Sequence, residues 1–179
     1  MIAIDPGGSR KGCAGARFDS SGELMSVKAD ASEYASGDVR IVIERPQQDG
    51  RSRAVPPKVL IELAWNGALL AGRLAGVYGY VVAYTPAQWK CGPKGNESIA
   101  KAIHHSRLVH ALTEAEAEVL DMAFPRWADA ISAAVRKGAL SRWAPGTHYP
   151  RGSALPDVLD AVGLGLFDLG RIDTRGNPK

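Results

Sequence analysis

Residues 40–44 read Arg40-Ile41-Val42-Ile43-Glu44, a β-branched run that ends on an acid. No polar residue interrupts its middle, so it suits a central strand covered on both faces. Beyond the polar stretch Arg45–Pro57, residues Lys58–Val77 carry Val59, Leu60, Leu63, Leu70, Leu74 and Val77 at mostly helical spacing. Gly67, Gly72 and Gly76 in that helix point to close packing against a sheet rather than to intrinsic propensity. Tyr80–Tyr84 reads as a second buried strand, closed by Thr85-Pro86. Strand, helix, strand in this order predicts a right-handed parallel crossover, and with it an α/β fold.

Upstream, Met1–Asp5 is a short apolar strand that also ends on an acid, and Pro6-Gly7-Gly8 then forces a turn. Cys13–Asp19 and Glu23–Ala29 are two further strands joined by Ser20-Ser21-Gly22, a hairpin connection. The predicted sheet is therefore mixed, an antiparallel meander followed by parallel strands, flanked by helices. Downstream, Asn96–Ala111 is a predicted helix, Thr113 and Glu116 form a capping box opening a second, and Ala128–Leu140 is a third. Ser141–Leu155 is a long loop. Pro156 is read as the first residue of a final helix running to Gly170. Without repeats or low-complexity tracts, residues 1–179 are expected to form a single domain.

The chain has 179 residues, 45% apolar and 23% charged, enough to bury a real core. No apolar run approaches the roughly 20 residues of a membrane span, and the start has no signal-peptide pattern. A soluble, cytoplasmic protein is expected. Cys13 and Cys91 match neither a disulfide framework nor a zinc spacing and are read as ordinary small residues. The net charge of +3 is unevenly spread: residues 111–130 hold one basic residue against five acids, leaving the remainder basic enough to favour a polyanion. Solvation of the surface alone would explain such charges equally well.

Chemistry enters with the acids. Asp5 and Glu44 close two strands, and the final helix opens Pro-Asp-Val-Leu-Asp, with Asp157 and Asp160 three apart on one face. An acid before Pro-Gly is often a turn residue, and one after a helix-opening proline often serves the dipole. Glu44 and Asp160 resist such readings, being continuous with apolar sequence where unpaired charge is expensive. Four converging carboxylates repel unless hard cations lie between them. Oxygen-only ligands favour Mg²⁺ or Mn²⁺ over zinc, and the chemistry best served is two-metal phosphodiester hydrolysis.

The segments IAIDPGGSRKGCAGARFD, IVIERPQ, VVAYTPAQWK and LPDVLDAVGLGLFDLGRI resemble the RuvC family of Holliday junction resolvases, within the RNase H-like superfamily. The most specific parts are the DPG after the first strand and the D-x-x-D-A opening of the last helix. The resemblance implies an RNase H-like fold in which Asp5, Glu44, Asp157 and Asp160 are catalytic and bind two Mg²⁺, with Mn²⁺ as a substitute. It implies a homodimer that cuts four-way DNA junctions symmetrically, leaving 5′-phosphate and 3′-hydroxyl ends. The third acid is a variable family position, sometimes histidine. Asp5 and Glu44 are closer together than in the bacterial housekeeping enzymes. Residues 112–155 have no counterpart and read as a divergent helical and loop insertion, in keeping with a phage or mobile-element version.

For the DNA, Arg45, Arg51, Arg53 and Lys58 cluster after Glu44, and Lys90, Lys94 and Lys101 after the strand Tyr80–Tyr84. Arg10 and Lys11, in the glycine turn, join them. Trp89 and Trp143 are candidate stacking or wedging aromatics, while Trp65 and Trp127 are assigned to the core. His104, His105 and His148 are read as surface residues, with assistance to proton transfer by one of them as the alternative. Two other readings compete: an actin-like or sugar-kinase-type ATP-binding domain, which needs a second domain that 179 residues hardly supply, and a non-catalytic nucleic-acid-binding module with the same fold.

Overall fold

Alternation along the two central strands sorts their side chains onto opposite faces of one sheet. In the computed structural model, which describes residues 1–6, 12–37, 39–46, 56–90, 101–140, 149 and 152–179, five strands form an open mixed sheet in the order β3-β2-β1-β4-β5. They are β1 (Ile2–Asp5), β2 (Ala14–Phe18), β3 (Leu24–Lys28), β4 (Arg40–Glu44) and β5 (Tyr80–Tyr84). The pairs β1–β2 and β2–β3 are antiparallel, and β1–β4 and β4–β5 parallel. The predicted meander followed by parallel strands is therefore present.

Ile2, Ile4, Ile41 and Ile43 face one side, where they pack on Ala71, Leu74 and Ala75 of helix α1 (Pro57–Ala75). Ala3 and Val42 face the other, against α6 (Leu155–Asp168), which is supported by α3 (Lys101–Leu108), α4 (Glu114–Ala123) and α5 (Trp127–Leu140). With the single turn α2 (Pro86–Trp89), six α-helices lie among the described residues, and none is long and apolar enough to cross a membrane. α6 is buried from Leu155 to Leu166 except at Asp157, as its nearly all-apolar circumference requires. Gly165 lets it approach the sheet: a Cβ there would stand 2.2 Å from the Phe18 ring. Each fully buried Leu or Val of this helix contributes about 2 kcal/mol.

Several local expectations are corrected. β5 is not a buried strand: among the described residues it pairs only with β4, at the sheet edge, and Tyr80 and Val81 are exposed. Its β-branched and aromatic composition marks a strand but says nothing of which strand covers it. α1 stops at Ala75, because Gly76 turns the chain at φ 69°, so Val77 lies outside it. Trp65 is 66% exposed rather than in the core, since α1 meets the sheet through its small residues Gly67, Ala71 and Ala75. The helix predicted from Asn96 is described from Lys101, and Val109–Ala111 tighten into a 3₁₀ turn. The last helix begins at Leu155, with Pro156 second, and ends before Gly170. Residues 112–155 contain α4 and α5, whose Leu120, Trp127, Ile131 and Ala134 join the core beneath α6. Cys13 is a buried free thiol; Cys91 lies outside the described residues.

Candidate metal centre

The alternation that buries Ala3 and Val42 under α6 continues one step further along each strand. Ala3 pairs with Val42 and Ile4 with Ile43, so Asp5 and Glu44 come next, side by side at the carboxyl edge of the sheet and on the α6 face. α6 crosses that edge with its first turns, which carry Asp157 and Asp160. The four acids line a cleft of about 240 Å³ together with Pro6, Pro46, Leu63, Lys90 and Lys101. Carboxylate oxygens of Asp5, Asp157 and Asp160 lie within 4.8 Å of one another, so these three could hold a metal ion. Glu44 stands beside that trio, its Oε2 taken up by other groups.

Those groups come from α2 and the residue after it. Gln88 Oε1 accepts from the Thr85 backbone N–H at 2.7 Å and from its hydroxyl at 3.1 Å, shaping the turn that delivers Trp89 and Lys90. Trp89 Nε1–H donates to Glu44 Oε2 at 2.9 Å. Lys90 Nζ lies 2.9 Å from Glu44 Oε2 and 3.1 Å from Asp160 Oδ2, over the Trp89 ring. Lys101 Nζ lies 3.0 Å from Asp157 Oδ1 and 2.6 Å from the same Asp160 Oδ2. The other oxygen of Asp160 is 3.0 Å from His105 Nε2, and His105 Nδ1 is 2.8 Å from the Tyr149 hydroxyl.

Charge and burial together set the protonation of the cluster. Burial, then the charges of Asp160 and Glu44, push the Asp5 carboxyl up to about 8. Burial alone would raise Asp160 too, but Lys90, Lys101 and His105 more than offset it and hold that carboxyl well below the usual range. Both lysines stay protonated, their burial outweighed by the acids. Burial keeps His105 neutral. With Asp160 ionised, the neutral ring carries its proton on Nε2 and donates it, leaving Nδ1 to accept from Tyr149.

The structure thus brings Asp5, Glu44, Asp157 and Asp160 into one cleft. Lys90 and Lys101, predicted to contact DNA, are instead paired with these acids. A long stem and a buried surplus of negative charge draw each ammonium inward. Trp89 is fully buried as a hydrogen-bond donor to Glu44, which leaves no ring face for stacking on a base. His104 and His105 are fully buried rather than surface residues; His104 packs edge-on against Trp89. The acidic partner of His105 lies 55 residues away and is invisible to local reading. A signal did exist: Lys101 and His105 are four apart and so share one face of α3. Arg45 is exposed, and the Lys58 side chain is mostly exposed, 3.9 Å from Glu62. Arg10, Lys11, Arg51, Arg53, Lys94, Trp143 and His148 lie outside the described residues.

All the acidic donors are hard oxygens, and the field among them already collects two cationic groups, so the donor set fits a hard divalent ion. Comparison with protein-family models, curated proteins and solved structures finds no match to this chain.

Proposed function

We propose that this chain is a metal-dependent, structure-selective endodeoxyribonuclease of RNase H-like fold that resolves four-way DNA junctions by paired symmetric cuts. The observation that carries the reading is the meeting of Asp5, Glu44, Asp157 and Asp160, from β1, β4 and α6, at the carboxyl edge of a parallel strand pair. Water attacks the phosphorus, the bond to the 3′ oxygen breaks, and the products carry a 5′-phosphate and a 3′-hydroxyl. Bound divalent cations, Mg²⁺ or Mn²⁺ and two in the full site, would lower the pKa of the attacking water and stabilise the leaving oxygen.

The chain's own residues supply geometry. Asp5, Asp157 and Asp160 are the ligand set, with Glu44 completing it. The Tyr149–His105 chain orients Asp160 by holding one of its oxygens, and the Trp89 N–H does the same for Glu44. Arg45, next to Glu44 in the chain, and the exposed Lys58 of α1 would meet backbone phosphates, and Arg10, Lys11, Arg51, Arg53 and Lys94 belong to the same proposed surface. Symmetric cutting needs two copies of the site. The exposed face of Ile61, Trp65 and Leu69 on α1, with Tyr80 and Val81 of β5, is the apolar surface for a homodimer.

The test incubates purified protein with labelled four-way junction, linear duplex, flap and RNA–DNA hybrid, in Mg²⁺ or in EDTA, beside Asp160→Asn. Paired symmetric nicks in the junction, dependent on Mg²⁺ and absent from the variant, are the expected result. Equal cutting by wild type and variant, or none in Mg²⁺ or Mn²⁺, overturns the reading. Sedimentation as a monomer at high concentration overturns the paired-cut model.

A further inference from the structure

The two lysines of the cleft are placed as cations in a cation site. Lys101 sits between Asp157 and Asp160, and Lys90 between Glu44 and Asp160, so the two ammonium groups bracket a single oxygen, Asp160 Oδ2. The lysine side chains are only 18% and 24% exposed. The two ammonium groups take up both lone pairs of Asp160 Oδ2, so an ion that ligates this oxygen beside Asp157 competes with Lys101, and one that ligates it beside Glu44 competes with Lys90. An ammonium group and a divalent ion on the same oxygen repel at contact with little water between them, which favours exchange over sharing. Lysine suits such a role: its ammonium is a point charge on a four-carbon stem and swings away without moving the backbone, whereas arginine is locked in by its fork.

We propose that Lys90 and Lys101 are resident counter-cations of the centre, and that a divalent ion is taken up at each position by exchange for the ammonium group held there. The proposal rests on the metal reading above. It assigns Lys101 to the Asp157–Asp160 position and Lys90 to the Glu44–Asp160 position. In the metal-free protein the lysines keep the acids together; when metal arrives, both ammonium groups are released to the solvent side of the cleft.

The wild-type protein is treated with an amine-acetylating reagent in EDTA and in saturating MnCl₂, and each lysine is read by mass spectrometry, with Mn²⁺ binding followed in parallel by electron paramagnetic resonance. Acetylation of Lys90 and Lys101 is expected to be low in EDTA and to rise several-fold with Mn²⁺, while that of exposed Lys58 stays constant. Acetylation of both that is unchanged or lower with Mn²⁺ bound overturns the exchange. Lys101→Met and Lys90→Met are each expected to bind Mn²⁺ roughly tenfold more tightly, the effect of removing one competing charge at contact distance. Arg126→Gln, an exposed charge that does not line the cleft, is the control and should change affinity by less than about threefold because water screens it. Weaker Mn²⁺ binding by both lysine variants also overturns the proposal. If neither wild type nor variants take up Mn²⁺, the metal reading itself falls. If Mn²⁺ binds but neither lysine changes its reactivity, only the exchange falls.

Discussion

Two buried carboxylate sites lie at opposite ends of α6, and they solve the same problem differently. Glu116 of α4 is fully buried, yet every demand of its carboxylate is met. Arg171 grips it with both terminal nitrogens, at 2.6 and 2.7 Å, and the backbone N–H groups of Leu24 and Thr113 each donate at 2.9 Å. One charge meets one charge, and the guanidinium also bonds Gly22 O and Ala111 O, tying the β2–β3 turn and the approach to α4 to the chain beyond α6. At the other end, among the described residues, four carboxylates face two ammonium groups, and burial with like charge pushes the Asp5 carboxyl up to about 8. A balanced buried ion pair is a structural fastener. A buried cluster with excess like charge stores repulsion that folding alone does not need, and here Asp5, Asp157 and Asp160 are close enough that they could hold a metal ion.

Four substitutions or conditions sharpen or break that contrast. The largest effect is expected for Asp5→Asn, which should cut junction cleavage by roughly three orders of magnitude, as loss of one member of a cooperating catalytic set does. The same change should raise the metal-free thermal midpoint near neutral pH, by about 1–2 kcal/mol or roughly 3–6 °C, because the amide is neutral without the proton that burial and like charge force onto the Asp5 carboxyl. A fall in the midpoint would show that the acids are not under-compensated. Glu116→Gln should act in the opposite sense, losing about 3 kcal/mol because Arg171 is left half-paired. Its Mn²⁺ affinity should match the wild type when measured by paramagnetic resonance, and a marked change would dissolve the distinction between the two sites.

His105→Ala is expected to weaken Mn²⁺ binding by roughly tenfold, the usual cost of losing a partner that orients a ligand. His105→Gln keeps an N–H for Asp160 and should recover most of that affinity; no recovery would mean that His105 only fills space. The smallest effect concerns acid stability. Burial would raise the Glu116 carboxyl, but Arg171 and the two backbone donors more than offset it, so the folded value lies below the usual one. A depressed folded value gives stability that is present above the unfolded pKa and is lost as the pH falls through the folded one. Between about pH 6 and about pH 3 the wild-type midpoint should therefore drop further than that of Glu116→Gln. Parallel curves would remove Glu116 from the account of acid unfolding.

The fold was legible wherever local pattern and burial coincide. The run Ile41-Val42-Ile43 is a central strand, Ser20-Ser21-Gly22 is a hairpin, and Thr113 with Glu116 is a capping box, because each depends on neighbours within a few residues. The four acids were legible for the same reason, since strand ends and a helix opening place them. The partners of those acids were not. Trp89 read as a wedge, Lys90 and Lys101 as phosphate contacts, and His105 as a surface residue, because each meets its carboxylate across 45 to 70 residues of chain. Trp65 failed in the other direction: helical spacing marks a face but not whether anything covers it.

By itself, the sequence determined the α/β class, the sheet order's antiparallel start and parallel continuation, and the donor chemistry of the centre, because apolar periodicity, turn residues and carboxylate identity are properties of short stretches of chain. Only the tertiary structure decided which cations stand among the acids, that Glu116 is fastened by one guanidinium while Asp5 is buried among like charges, and which faces are exposed. Those outcomes depend on the balance of charge and burial around each group, and that balance exists only once distant segments share the same few ångströms.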